Sequence, residues 1–291
     1  MKNRSHAGTF LFALILILPG YHVPAQADEG TLEKITRSGE FIIGYRTDAS
    51  PLSYENADGQ PSGYSVDLCR RIAAGIKTHL GMPDIATKFV AVTSEERIPA
   101  VVDNKIDIEC GSTTITLARQ EHVDFTLPTF VTGGSVLSLA ASRIKTLADL
   151  SGKKVAVVKD TTTVLQLRSY LKDNLIDAEV VIVSDRSEGM NRLNRRDVDA
   201  FASDQIVLIG QVIEALNPTQ YALADETFSF EPYGLVIRRN DADFRLVANR
   251  SLAQLYRSGQ HIQIYNKWIG RIGIRPSPML AAMYQLNTLP E

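Results

Sequence analysis

The sequence lacks an excess of basic charge, and this excludes one broad class of function. Its 291 residues contain 31 lysines and arginines against 33 aspartates and glutamates. The basic residues form no stripe along the chain. Proteins that bind nucleic acid rely on a clustered basic surface to neutralise phosphates. The charge balance therefore predicts no nucleic-acid partner.

Sequence motifs of common enzymes and metal sites are also missing. The chain contains no P-loop, HExxH, GxSxG or GxGxxG pattern, and each of these patterns carries a specific chemistry. Beyond residue 27 the histidines are His79, His122 and His261. None has metal-ligand spacing to a cysteine or to another histidine. We therefore expect no catalytic residues, no metal, no cofactor and no enzymatic activity.

Long apolar runs are absent as well. The run Thr9–Leu18 has about half of the roughly 20 residues that a membrane-spanning helix needs. A basic start at Lys2 and Arg4 precedes this run, and Ala25-Gln26-Ala27 supplies a small-x-small cleavage site. These three parts in this order predict that residues 1–27 are a cleaved signal peptide.

Cysteine is scarce, with only Cys69 and Cys110 present. In an oxidising compartment the two could form a disulfide. Their apolar neighbours are equally typical of buried free thiols, so the sequence leaves both states open. No cysteine lies near residue 27, and the sequence therefore gives no sign of a lipid anchor.

Strand-like and helix-like segments alternate along the rest of the chain, in two successive runs. This β-α-β order is typical of α/β folds with a mostly parallel sheet covered by helices. In the first run, apolar spacing predicts a long helix up to Leu80, capped by Ser65 and ended by Gly81. The predicted segments of the first run are Phe41–Gly44, Val66–Leu80, Thr87–Val92, Ile98–Val102 and Ile106–Cys110, and those of the second are Ile144–Leu150, Lys154–Val158, Val164–Leu171, Val180–Val183, Met190–Leu193, Asp199–Ala202 and Gln205–Leu216.

Two strand-like stretches, Thr129–Leu139 and Phe230–Ile237, flank the second run. The most economical arrangement is a second lobe inserted into the first, with these two crossing strands as a hinge. We expect lobe 1 to contain residues 28–132 and 234–291, and lobe 2 to contain residues 133–233. In such a fold, ligands bind beyond the carboxyl ends of the strands, in the cleft between the lobes.

Polar side chains follow the predicted strands of both runs and would converge on this cleft. Arginine binds a carboxylate through paired charge-assisted hydrogen bonds, and a lone aspartate can hold an ammonium group. The set is complementary to a small molecule with one amine and more than one carboxylate. Taken singly, each arginine could be a solvated surface residue, and each hydroxyl or Asp204 a turn or helix cap. The candidate ligand-binding residues are Arg46, Ser94, Arg97, Ser112, Thr114, Arg119, Thr162, Arg186 and Asp204.

Several motifs resemble the polar amino-acid-binding proteins of ABC importers, solute-binding protein family 3. Gly111-Ser112-Thr113-Thr114 followed by Arg119 is similar to the signature of that family, and Leu147–Lys153 and Ser258–Trp268 are similar to its second-lobe opening and its closing motif. The stretches Glu109–Thr114 and Thr93–Pro99 look like the glutamate/aspartate-binding subgroup. The resemblance covers about residues 31–270.

This resemblance implies a monomeric, two-lobed periplasmic protein that captures glutamate or aspartate and delivers it to a membrane permease. It implies that Arg119, with Thr114 and Thr162, binds the α-carboxylate of the ligand. It assigns the α-ammonium to Asp204 with Ser112 and Thr114, and the side-chain carboxylate to Arg46, Ser94 and Arg97.

The sequence departs from the subgroup at two places. Arg186 stands where the subgroup often has a histidine that faces the ligand side chain. Lys159-Asp160 stands before the threonine run, where small residues are usual. Either change could alter the preference between aspartate and glutamate, or admit a related dicarboxylate.

Two other functions remain compatible with the same scaffold. One is a periplasmic dehydratase of cyclic acids, which resembles this family and would need a general acid or base such as Asp204 with Glu55 or Glu109. The other is a sensor that reports its ligand to a membrane receptor. Turnover of prephenate or arogenate would identify the enzyme, and dependence of glutamate uptake on this protein would separate importer from sensor.

Overall fold

The computed structural model describes residues 29–291. The predicted signal peptide, residues 1–27, lies outside the described residues. Within residues 29–291, no helix is both long enough and apolar enough to cross a membrane.

Strands and helices alternate through the described chain. The strands are β1 (Glu40–Tyr45), β2 (Asp48–Ala49), β3 (Ser53–Glu55), β4 (Pro61–Ser62), β5 (Ala86–Ala91), β6 (Ile108–Glu109), β7 (Val123–Phe125), β8 (Phe130–Thr132), β9 (Gly134–Leu139), β10 (Lys154–Val158), β11 (Glu179–Val183), β12 (Ala200–Asp204), β13 (Tyr221–Leu223), β14 (Glu231–Tyr233) and β15 (Val236–Arg238). The α-helices are α1 (Thr31–Ser38), α2 (Tyr64–Leu80), α3 (Arg97–Val102), α4 (Leu117–Gln120), α5 (Thr162–Asp173), α6 (Arg186–Arg195), α7 (Gln205–Glu214), α8 (Ala242–Arg257), α9 (Gln260–Trp268) and α10 (Pro278–Leu286).

Two five-stranded sheets define two lobes. In lobe 1 the strand order is β5-β1-β6-β15-β7, and in lobe 2 it is β11-β10-β12-β9-β13. The pairs β1–β5, β1–β6, β10–β11 and β10–β12 are parallel. Strands β15 and β9 run antiparallel to their neighbours. The sheets are therefore mixed, because each lobe takes in one strand that arrives directly from a crossing between the lobes.

The crossings themselves pair with each other. Strand β8 lies antiparallel to β14, with Thr132 opposite Glu231 and Phe130 opposite Tyr233. Lobe 2 is inserted between these two strands, which confirms the predicted two-lobed fold with two crossing strands. The stretch Phe230–Ile237 was expected to be one strand, but the structure divides it at Gly234 into β14 and β15. The Gly234 N–H donates to the carbonyl of Thr113, where the chain passes from the hinge pair into the lobe 1 sheet.

The start of α2 depends on glycine, and here the predicted cap is wrong. Gly63 precedes the helix with φ of 128°, and a Cβ atom at this position would lie 2.3 Å from the carbonyl oxygen of Leu52. Only glycine adopts this backbone conformation at such a close approach without strain. Ser65, expected as the N-cap, lies inside the helix, and its N–H donates to the Leu52 carbonyl. The helix ends as predicted at Gly81, which has φ of 65°.

The chain beyond residue 271, where the family resemblance ends, packs on lobe 1. Helix α10 begins with Ser277 as its N-cap and buries Leu280, Met283 and Tyr284. The Tyr284 hydroxyl lies 2.8 Å from that of Tyr64 in α2. This helix therefore extends the core of lobe 1 beside the hinge strand β8.

The two cysteines form a disulfide between α2 and the end of β6. Both Cys69 and Cys110 are fully buried, and they are 41 residues apart in sequence. Cys110 immediately precedes the loop Gly111–Thr114, which carries two candidate ligand-binding residues. The bridge therefore ties this loop to the longest helix of lobe 1.

Replacing both cysteines with serine is expected to lower the free energy of unfolding by about 4 kcal/mol, because the bridge restricts the unfolded chain over a loop of this length. Urea unfolding of the oxidised wild type and of the Cys69→Ser/Cys110→Ser variant would measure this difference. Reductant added to the variant should change nothing, which controls for other effects of the reagent. A variant as stable as the oxidised wild type would contradict the prediction.

Candidate functional site

The nine candidate residues lie at the carboxyl ends of strands or in the segments that follow them, in both lobes. This placement follows from the fold, because the carboxyl ends of parallel strands share one edge of a sheet. Lobe 1 supplies Arg46 after β1, Ser94 after β5, Arg97 at the start of α3, Ser112 and Thr114 after β6, and Arg119 in α4; lobe 2 supplies Thr162 at the start of α5, Arg186 at the start of α6 and Asp204 at the end of β12. Seven of them are buried, while Arg119 and Thr162 are partly exposed.

Direct contacts join the two lobes around this set. Arg186 donates to Asp48 at 2.9 Å, and its Nη2 lies 3.5 Å from the hydroxyl oxygen of Ser112. The hydroxyl groups of Thr114 and Thr162 are 3.3 Å apart. The structure therefore brings residues from both lobes into a single cluster.

Ser94 and Lys159 make a further contact between the lobes. The Ser94 hydroxyl donates to the carbonyl of Lys159 at 3.3 Å, and the Lys159 ammonium forms an ion pair with Glu95. Lys159 itself is partly exposed, so its charge lies at the rim of the cluster. Lys159 thus adds an ion pair between the lobes at the rim. Its side chain does not enter the cluster.

One end of the cluster concentrates positive charge. Arg46, Arg97 and Arg186 are each no more than 3% exposed. Burial, together with the neighbouring guanidinium of Arg186, lowers the pKa of Arg46. Burial, together with the charge of Arg119, lowers the pKa of Arg97. Cations that repel one another in a buried space favour the binding of an anion.

These guanidinium groups also have unused hydrogen-bonding capacity. Within the described residues, Nε and Nη1 of Arg46, Nε of Arg97 and Nε of Arg186 have no hydrogen-bond partner. A buried donor without a partner costs free energy, and buried donors are normally satisfied. A carboxylate has two acceptor oxygens and matches the paired donors of a guanidinium. This end of the cluster is therefore suited to bind an anionic group.

The other end contains the carboxylates of Asp204 and Glu231. Asp204 occupies the N-cap position of α7, but its side chain makes no capping bond. Its Oδ2 accepts a 2.5 Å hydrogen bond from the hydroxyl of Tyr233, while Oδ1 has no partner within residues 29–291. Burial, with the nearby charge of Glu231, raises the pKa of Asp204 to about 6. An ammonium group placed here would satisfy the free oxygen and offset the buried negative charge.

Arg119 lies close to the carboxylates of Glu231 and Asp204. Its Nη1 donates to the backbone carbonyl of Thr114 at 2.7 Å. Burial lowers the pKa of Arg119, and the carboxylates of Glu109 and Glu231 act in the opposite direction. Arg46, Arg97 and Arg186 thus form one group, which also contains the carboxylate of Asp48, while Asp204 and Glu231 form another beside the hinge strand β14.

Two residues of the hinge strand β14 belong to this cluster and were not among the predicted site residues. Glu231 accepts hydrogen bonds from Thr114 at 2.6 Å and from Thr162 at 2.9 Å, so its carboxylate links the two lobes. Tyr233 holds Asp204. One signal in the sequence could have found both residues. They lie in the predicted crossing strand Phe230–Ile237, and a crossing strand must pass along the base of the cleft.

Asp48, in β2, was also missed. It accepts from Arg46 at 2.7 Å as well as from Arg186. Its sequence position, two residues after Arg46, gave no sign that it would meet an arginine of the second lobe.

A cleft between two α/β lobes, with charged and hydroxyl side chains from both lobes and from the hinge, defines a protein that encloses a small polar ligand. Residues 41–271 match the bacterial extracellular solute-binding proteins, family 3. The chain belongs to this family.

Relatives and solved structures agree with this assignment. The chain is 35% identical over 248 residues to the L-glutamate/L-aspartate-binding protein of Pseudomonas aeruginosa, with 84% of this chain and 82% of the relative covered. It is 30% identical over 250 residues to the glutamate/aspartate import solute-binding protein of Escherichia coli K12, with 84% and 83% covered. A mutant of ArgBP from T. maritima matches with a TM-score of 0.72 at 28% identity, covering 82% of this chain and 99% of that structure.

The family and these relatives confirm the resemblance seen in the sequence. The two glutamate/aspartate relatives are named as binding proteins, in agreement with the expectation that this chain is not an enzyme. Fold alone does not select the ligand, so the ligand has to be argued from the residues of the cluster.

Proposed function

We propose that this protein binds glutamate or aspartate between its lobes and delivers it to the permease of an ABC importer. The observation that carries the proposal is the set of polar atoms without partners in the buried cluster. Within the described residues, three guanidinium groups have free donors, and Asp204, held by Tyr233 of the hinge strand, has a free oxygen. An acidic amino acid offers carboxylates to the first and an ammonium group to the second.

Each charged group of the ligand then has a proposed partner. Arg119 binds the α-carboxylate, with Thr114 and Thr162 beside it. Asp204 binds the α-ammonium, with Ser112 and Thr114 beside it. The side-chain carboxylate meets Arg46, Arg97 and Arg186, with Ser94 as a hydroxyl donor. This assignment is supported by the match between the free hydrogen-bonding atoms of each end and the groups they would receive.

Lobe closure is the proposed mechanism of capture. We take lobe 1 as residues 28–132 and 234–291, and lobe 2 as residues 133–233, with the hinge at β8 and β14. A ligand that contacts both lobes stabilises the closed arrangement by its differential affinity for it. Glu231 would assist, because it comes from the hinge and hydrogen-bonds to one threonine of each lobe.

We further propose that residues 1–27 direct export to the periplasm and that the mature protein acts there as a monomer. Delivery to a permease predicts that glutamate uptake by the cell depends on this protein. A sensor would bind the same ligand, but its deletion would leave uptake intact and abolish a response to the ligand. Measuring uptake of labelled glutamate in a deletion strain therefore tests the transport role separately from binding.

Ligand identity is tested by thermal unfolding of the mature protein with a panel of amino acids and dicarboxylates. A ligand at 100 times its dissociation constant should add about 2.7 kcal/mol to the free energy of unfolding. We expect glutamate or aspartate to raise the unfolding midpoint, and glutamine, histidine and arginine to leave it nearly unchanged. A shift with only a neutral or basic amino acid would contradict the acidic ligand. The absence of any shift in a folded sample would contradict capture of amino acids altogether.

A further inference from the structure

Asp48 is a carboxylate set among the arginines that would bind an anion. One of its oxygens, Oδ1, accepts from Nη2 of Arg46 at 2.7 Å and from Nη1 of Arg186 at 2.9 Å. Its side chain is 16% exposed, against 3% for each of the two arginines. Asp48 therefore lies at the edge of the arginine cluster and pairs with one arginine from each lobe.

The position of Asp48 is fixed from both lobes. It lies in the short strand β2, which pairs with β3 in lobe 1. From lobe 2, Nε2 of Gln211 donates to the Asp48 backbone carbonyl at 3.3 Å. Gly210 packs so closely on this segment that a Cβ atom there would lie 2.0 Å from the carbonyl oxygen of Ser50. The carboxylate is thus held in place by the contact between the lobes.

Asp48 changes what the two arginines can offer. Although burial opposes it, the guanidinium groups of Arg186 and Arg46 hold the pKa of Asp48 below its usual range, so the side chain is an anion at neutral pH. It cancels one of the three positive charges of Arg46, Arg97 and Arg186, and the buried carboxylate of Glu109, which acts on both Arg46 and Arg97, offsets a second. It also leaves Nε and Nη1 of Arg46 and Nε of Arg186 without a partner in the described chain. The donors remain numerous, while three arginines and the two carboxylates of Asp48 and Glu109 leave this end with one net positive charge.

We propose that Asp48 is a specificity-determining residue that restricts the distal group of the ligand to a single negative charge, and so excludes amino acids with a doubly charged phosphonate. The inference rests on the proposed binding of an acidic amino acid. Donor geometry alone would accept a carboxylate, a sulfonate or a phosphonate, because all three present oxygen acceptors. Charge separates them, since an extra negative charge beside the Asp48 carboxylate is repelled in a poorly solvated space.

Three probes of equal length test the proposal, namely glutamate, homocysteate and 2-amino-4-phosphonobutyrate. Homocysteate ends in a singly charged tetrahedral sulfonate and controls for the shape of the phosphonate. Dissociation constants are measured by calorimetry at a pH above the second ionisation of the phosphonate. We expect Asp48→Asn, which keeps an oxygen acceptor but removes the charge, to raise phosphonate affinity relative to sulfonate affinity by about tenfold or more.

Two further variants make the result specific. Asp124→Asn removes a charge from a partly exposed ion pair with Arg245 in lobe 1 and should leave the ratio of phosphonate to sulfonate affinity unchanged. Arg186→Gln removes the positive charge that pairs with Asp48 and should lower this ratio. The double variant Asp48→Asn/Arg186→Gln should return the ratio towards that of the wild type.

The possible outcomes are distinct. An unchanged ratio in Asp48→Asn, or an equal loss of affinity for all three probes, would overturn the role of Asp48 while leaving the binding of glutamate in place. A folded wild type that binds neither glutamate nor aspartate would overturn the proposed function, and the inference with it. If Asp48→Asn did not fold, the comparison of Asp48→Asn/Arg186→Gln with Arg186→Gln alone would decide, because the two differ only in the charge of Asp48.

Discussion

Replacing Asp204 with asparagine is expected to remove most of the affinity for glutamate or aspartate and to make the ligand-free protein more stable. The ammonium group of the ligand would lose its charged partner inside a buried cluster. Truncation of one partner in such a pair costs about 2–5 kcal/mol of binding free energy. The dissociation constant should therefore rise by a factor of roughly 30 to several thousand, as measured by calorimetry at pH 7.

The stability gain comes from the same burial. In the folded protein the pKa of Asp204 is raised to about 6, from an ordinary value of 3.8. The protonated Asp204 side chain is therefore tolerated in the folded protein below the unfolded pKa. This stability is lost as the pH rises through about 6 and the buried side chain becomes charged. At pH 7 asparagine avoids the buried charge and still accepts from Tyr233. We expect a gain in the free energy of unfolding of up to about 3 kcal/mol.

The pH dependence distinguishes this explanation from a general change in packing. The difference in stability between Asp204→Asn and wild type should be largest above pH 6 and should vanish towards pH 4. Wild-type affinity for glutamate should fall as the pH drops below about 6, where the Asp204 carboxylate gains a proton. The ligand's own side chain stays ionised to about pH 4.3. A variant with the same pH profile of binding as wild type would contradict the role of Asp204.

Two arginine variants should separate recognition of the two carboxylates of the ligand. Arg119→Met is expected to weaken the binding of glutamate by about 2–5 kcal/mol, because the α-carboxylate loses its charged partner. The weak binding of glutamine should fall by the same factor, since glutamine has the same α-carboxylate. Titration calorimetry with both ligands measures this.

Arg97→Met is the matched control, because it removes a guanidinium from the other end of the cluster. It should weaken the binding of glutamate by a similar amount. The dissociation constant for glutamine should change by less than about threefold, since glutamine carries no distal charge. An unfolding midpoint close to that of wild type must be shown for both variants. If Arg119→Met lost the binding of glutamate but kept that of glutamine, Arg119 would bind the side-chain carboxylate and not the α-carboxylate.

Much of the fold was predictable because its signals are local. The apolar spacing of residues 66–80 indicated α2 directly, and Gly81 indicated its end. The two alternating runs and the two crossing strands predicted the inserted second lobe. The cap of α2 was predicted wrongly, because the need for Gly63 arises from the backbone of Leu52, which lies eleven residues earlier.

The sequence by itself determined that the chain has two α/β lobes and which polar residues follow the strands. Periodicity and strand order act over short distances and place those residues on one edge of each sheet. Only the tertiary structure decided that Cys69 pairs with Cys110, and that Asp204 is held by Tyr233 and does not cap its helix. It also brought Asp48 to Arg186, 138 residues away, and Glu231 to a threonine of each lobe. These contacts depend on how two lobes and a hinge meet, and no local pattern of residues encodes a meeting between segments so far apart.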